Sequence, residues 1–127
     1  MPTPFKSRAS LELPGTPGLP TQLLEFLLDS QYSSKSEFEY ELPAGPGSQV
    51  VNFGSMPAAG AKAVLVVYEP KTAAPPVLVT VNAGNQPIEL STGGFLLIGS
   101  PAPVAGVLSM SLAYTGAGRV RVWLLGG

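Results

Sequence analysis

Three glutamates spaced two apart, Glu37, Glu39 and Glu41 in SEFEYEL, form the densest charge cluster of the chain. On a strand this spacing sets all three carboxylates on one face, about 6.6–7 Å from one to the next. A retaining glycosidase needs two carboxyl groups about 5–5.5 Å apart, and a calcium site needs oxygens converging within about 2.6 Å of the ion. A straight row fans its carboxylates apart. Its expected role is a solvated face, or pairing with Arg119 and Arg121, rather than acid–base or metal chemistry. The second cluster is Arg119, Arg121 and Trp123 in RVRVWLL. On one strand face it suits a subunit contact anchored by the tryptophan, a plain mixed edge, or an anion- or sugar-binding stripe with Trp123 as a stacking platform.

The residue types that usually carry chemistry are missing. There is no cysteine and no histidine. That removes thiolate nucleophiles, thiolate metal sites, the commonest general base and the commonest metal ligand. The run Ser33, Ser34, Lys35 has no motif around it to make a Ser–Lys pair. GAGRVR joins two strands instead of opening a helix, so it is no dinucleotide fingerprint. The expected catalytic, cofactor and metal sets are therefore empty.

Seven Lys and Arg against eight Asp and Glu leave a formal charge of −1 in 127 residues. No basic footprint points to nucleic acid. No run approaches 18 apolar residues, so no membrane span is expected, and MPTPFKSRAS lacks the apolar core of a secretory signal. Charged residues are only 12% and apolar residues 45%. Half the usual charge on a folded body implies a poorly charged surface, which suits a subunit packed against neighbours.

These clusters need strands to position them. Residues 1–20 hold five Pro and two Gly. This excludes helix and disfavours strand, so an extended Pro-rich N-terminal arm is expected, ahead of a single domain over 21–127. Phe5, Leu11, Leu13 and Leu19 would fix the arm to its own body or to a neighbour. TQLLEFLLDS (21–30) fits a short helix capped by Thr21, or a strand with Leu24, Phe26 and Leu28 on one face; strand or a single helical turn is favoured. From Ser36 the period is two. Strands are expected at 36–42, 48–53, 62–69, 77–82, 87–90, 95–100, 107–114 and 119–125, with turn residues between them. Phe38, Tyr40 and Leu42 oppose the glutamates; Val77, Val79 and Val81 point inward; Leu108, Met110, Leu112 and Tyr114 share a face, as do Val120, Val122 and Leu124. The continuously apolar 62–69 is expected to be central and covered on both faces. Eight strands at such spacing predict an all-β fold, an eight-stranded antiparallel β-sandwich of jelly-roll type.

The landmarks AVLVVYEP, VLVTVNAGNQPIEL, GGFLLIGS and AGVLSMSLAYTGAGRVRVWLLGG, over about 62–127, resemble the small β-sandwich structural proteins of tailed bacteriophages. The resemblance implies a virion component without an active site, assembled in the host cytoplasm, so no functional residues carry over. Within it, a capsid decoration (cement) protein is the expected role. Its partners would be the major capsid protein or other virion proteins, and further copies of itself as a dimer or trimer, with Phe5, Leu11, Leu13, Leu19, Arg119, Arg121 and Trp123 in the contacts. The alternative is a receptor- or carbohydrate-binding module of a fibre or tail, using loops 43–48, 55–61 and 99–106 with Trp123.

Overall fold

Alternation of apolar and polar residues marks many strands of this chain, while 63–68 is apolar throughout. The computed structural model describes residues 2–54, 56–70, 75–91, 93–100 and 106–127. Most of the expected 99–106 loop, Ser55 in the 55–61 loop, and 71–74 lie outside the described residues. Among the described residues there are ten strands: β1 (Thr3–Leu13), β2 (Gln22–Tyr32), β3 (Ser34–Leu42), β4 (Gly47–Val50), β5 (Ala61–Pro70), β6 (Val77–Val81), β7 (Ile88–Leu90), β8 (Phe95–Gly99), β9 (Met110–Tyr114) and β10 (Gly118–Gly126). No helix occurs among the described residues, and all strand pairs are antiparallel.

The strands form three sheets, β1-β2, β3-β10-β5-β8 and β4-β9-β6-β7. From β3 onward the pairing is nested: β3 with β10, β4 with β9, β5 with β8, β6 with β7. The segment is one long hairpin with its tip at β6–β7. Rolling that hairpin adds the pairs β10–β5 and β9–β6. β10 therefore has hydrogen-bonded neighbours on both sides, which is why a strand as apolar as RVRVWLL is tolerated.

The two four-stranded sheets share one core. Val64, Val66 and Tyr68 of β5, Val120, Val122 and Leu124 of β10, and Leu42 of β3 meet Val77 and Val79 of β6, Leu90 of β7, and Met110 and Leu112 of β9. Leu96 and Ile98 of β8 pack against this cluster. Each set occupies alternate positions of its strand, as the period of two requires. Tyr68 brings a phenol deep into the core, and its hydroxyl donates to the Pro75 carbonyl at 3.0 Å.

The structure corrects three expectations. The strand count among the described residues is ten, not eight, because residues 3–32 add a hairpin. Strand was disfavoured in residues 1–20, yet β1 fills most of them. Its prolines explain the difference: Pro4 sits near the start of β1, and Pro14, Pro17 and Pro20 cluster in the connection, leaving 5–13 free of proline. In that connection Thr16 and Leu19 exchange backbone hydrogen bonds of 2.8 and 3.0 Å around Pro17-Gly18. Gly18 has φ +90°, the sign a turn of this kind needs at its second central residue, and Pro17 pre-sets the first. The third correction is local. β9 starts at Met110, so Leu108 does not join its inward face and is 48% exposed.

Candidate functional site

Two surfaces gather the sequence-predicted residues: the hairpin β1–β2 and the outer face of the β3-β10-β5-β8 sheet. In the hairpin, Phe5 pairs with Ser30, Ser7 with Leu28, Ala9 with Phe26, Leu11 with Leu24 and Leu13 with Gln22. Cross-strand partners share a face, so these residues form one face without a charge. The register places Lys6 opposite Asp29, Arg8 opposite Leu27, Ser10 opposite Glu25 and Glu12 opposite Leu23 on the other face. Every charge of the ribbon lies there.

The uncharged face has two halves. Near the base it leans on the outer face of the sheet. Phe5 and Tyr32 meet edge to face with centroids 6.0 Å apart. They line a cleft of about 440 Å³ together with Leu65, Leu97, Trp123 and Leu125. A Cβ on Gly99 of β8 would stand 3.3 Å from the Leu28 side chain, so the ribbon crosses the sheet close to that glycine. The base is tied down by polar contacts. Lys62 Nζ donates to the carbonyls of Gln31 and Gly127, both at 2.9 Å, and the Ser33 amide donates to the Gly126 carbonyl at 2.9 Å. Toward the tip the same face opens to solvent: Leu11, Leu13 and Leu24 are 44–53% exposed, and Phe26, 63% exposed, borders with Ala9 a cavity of about 280 Å³ shared with Leu97 and Gly99 of β8. Leu19 in the connection is also exposed, as are Leu23 and Leu27 on the charged face.

The charged cluster lies at the other end of the outer sheet face. The β3–β10 register sets Arg119 opposite Glu41 and Arg121 opposite Glu39. Arg119 Nε lies 3.0 Å from Glu39 Oε1 and 3.2 Å from Glu41 Oε1. Its Nη1 is 4.0 Å from Glu69 Oε2 of β5. The Glu41 hydrogen bond, and then the charge of Glu39, hold the guanidinium above its ordinary pKa. Arg121 Nη1 is 3.5 Å from Glu69 Oε1, and its guanidinium carbon sits 4.9 Å from the centre of the Trp123 ring. Glu37 pairs with Lys35 at 3.6 Å. Each cation is already engaged, and the carboxylates fan along the strand. All these groups are 42–54% exposed, where such pairs contribute little to stability. Among the described residues no group of three His, Cys, Asp or Glu could hold a metal.

The structure thus brings Arg119 and Arg121 to the glutamates and adds Glu69, which the sequence reading did not foresee. It separates the seven candidate contact residues into three places. Leu11, Leu13 and Leu19 lie toward the ribbon tip, Phe5 and Trp123 line the cleft at its base, and the two arginines lie in the ion-pair ladder. The sequence reading missed Leu24 and Phe26 as partners of Leu11 and Ala9. The alternation of Lys6, Arg8, Ser10 and Glu12 with Phe5, Ala9, Leu11 and Leu13 was the signal for it. No protein-family model matches the chain, and no curated protein or solved structure does.

Proposed function

We propose that the protein is a non-enzymatic structural subunit of a virion, a decoration (cement) protein that binds the outside of a capsid and ties neighbouring subunits together. The nested pairing, wound into the orders β3-β10-β5-β8 and β4-β9-β6-β7, supports taking the part from β3 onward as a sandwich of jelly-roll type. Viral capsid and lectin domains are among the users of that architecture. Fold alone assigns no function. The observation that carries the proposal is the ribbon: an apolar surface that extends past the body, beside a sheet face whose arginines are already paired with glutamates. A surface of this kind acts by area burial and β-sheet contacts, not by chemistry. The resemblance of residues 62–127 to phage structural proteins supplies the particle.

Quantitative mass spectrometry of purified particles from the source that encodes the chain tests this reading. The protein is expected at a fixed stoichiometry to the major shell protein, and deletion of residues 1–32 is expected to abolish rebinding to stripped shells. Its absence from the particles would refute the proposal. A second reading, glycan recognition by a fibre or tail module, draws on Trp123 at the cleft beside Phe5 and Tyr32. Glycan-array binding that disappears in Trp123→Ala, while shell binding persists, would favour it.

A further inference from the structure

Among the described residues, seven of the twelve exposed large apolar ones lie in the β1–β2 hairpin and its connection. A two-stranded ribbon with solvent on both faces is marginally stable at best. The base of this one is covered by the sheet; its outer half opens to solvent. The whole chain exposes 7733 Å². A compact monomer of its mass, 13.1 kDa, exposes about 6,400 Å² by the usual scaling. The excess is about 1,300 Å² per chain, more than the ~800 Å² that a standard interface takes from each partner.

We propose that the outer half of the uncharged ribbon face, Ala9, Leu11, Leu13, Leu24 and Phe26, is a contact with a second copy of this chain, in which it meets the same face. The proposal rests on the structural-subunit reading and names the partner and the surface. Three features single out a second copy. First, the face carries no charge, so it offers a heterologous partner no complementary charge to read; against its own copy it buries none. Second, its charges all stand on the opposite face, where they stay in water when two ribbons stack. Third, the area fits. The exposed parts of Leu11, Leu13, Leu24 and Phe26 come to roughly 400 Å² per copy. Two copies face to face bury at most about 800 Å² from these four, with Ala9 adding to it, which puts the contact at the small, readily dissociating end of specific interfaces. The outer sheet face of a second body fits less well, because Glu69 and Arg121 lie on it beside Phe95 and Val67.

Phe26 and Leu27 are adjacent, 63% and 57% exposed, and point to opposite faces. They make a matched pair of probes. Light scattering with the full chain, from about 1 to 300 µM, reads the oligomer. Wild type is expected to form a defined oligomer that dissociates on dilution. Phe26→Glu is expected to weaken it at least about tenfold, while Leu27→Glu leaves it within about threefold. Trp123 fluorescence and the melting temperature check that both variants fold. If Phe26→Glu does not fold, Leu24→Ser takes its place with the same expectation. A wild-type monomer at every concentration, an oligomer that survives Phe26→Glu, or one that both variants disrupt equally would overturn the proposal. So would a monomer that sediments with phosphatidylcholine vesicles only when Phe26 is intact. A wild-type monomer whose binding to stripped shells is lost in Phe26→Glu would overturn the self-contact yet leave the structural-subunit reading standing.

Discussion

Leu124 and Leu125 are neighbours on β10, chemically identical and opposite in direction. Leu124 is 0% exposed and belongs to the core shared by the two four-stranded sheets. Leu125 faces the cleft beneath the hairpin. Leu124→Ala deletes three carbons from a closed site. Loss of transfer energy is about 0.8 kcal/mol per carbon, and a partly collapsed cavity adds about 1 kcal/mol more, for a total near 3–4 kcal/mol. For 127 residues the unfolding entropy makes 1 kcal/mol worth about 4 °C, so the melting temperature should fall by about 11–15 °C. Leu125→Ala opens onto an existing cleft and should cost under about 1.5 kcal/mol. Urea titrations followed by far-UV circular dichroism at one fixed protein concentration measure both, since any self-association makes stability depend on concentration. The midpoint should shift with the slope unchanged. Equal losses within about 1 kcal/mol, or a larger loss for Leu125→Ala, would refute the placement of the core between these sheets.

Ala83 and Asn82 follow β6 with φ of +53° and +55°, and the Gly84 amide donates to the Val81 carbonyl at 3.2 Å. Alanine in the left-handed region is strained, so Ala83→Gly should stabilise by about 0.5–1 kcal/mol, read by thermal unfolding. Asn82 Oδ1 accepts from the Leu108 and Ser109 amides at 2.7 and 3.3 Å, and Nδ2 donates to the Gly106 carbonyl at 3.0 Å. Asn82→Ala should cost about 1–3 kcal/mol in the same assay, because it strips partners from backbone groups. Burial pushes the Tyr68 phenol above its ordinary value of 10.0. The folded state then holds the proton more tightly than the unfolded state does. This contribution is fully present below about pH 10 and is lost as pH rises through the folded value. Tyr68→Phe should therefore lose stability less steeply above pH 10, at a cost near 1 kcal/mol at pH 7 for the lost bond to Pro75.

The body was legible because several of its strands alternate cleanly and turn residues separate them. Phe38, Tyr40 and Leu42 against three glutamates, and Val77, Val79 and Val81 on one face, permit only strands with one side buried. The ion-pair ladder was half legible. Pairing of the glutamates with the two arginines followed from facing strands, but Glu69 entered only through the β5–β10 register, which a single sequence does not specify. The hairpin was obscured by its prolines, which read as a stiff arm although they sit near the start of β1 and in the turn. Its outer face was hidden for another reason. Leu24 and Phe26 pack with Leu11 and Ala9 only if the two segments pair, and the helical and strand readings of 21–30 use the same leucines. Composition did carry the general lesson: with 12% charged residues, some apolar surface had to remain outside the core.

Hydrogen–deuterium exchange of the full chain, followed at two protein concentrations, tests the central claim most directly. That claim is that the uncharged ribbon face is an assembly surface. Amides of residues 8–13 and 22–27 are expected to exchange slowly at high concentration and to lose protection on dilution, while β5 and β10 stay protected throughout. Ribbon amides that exchange at one unchanged rate at both concentrations would contradict it.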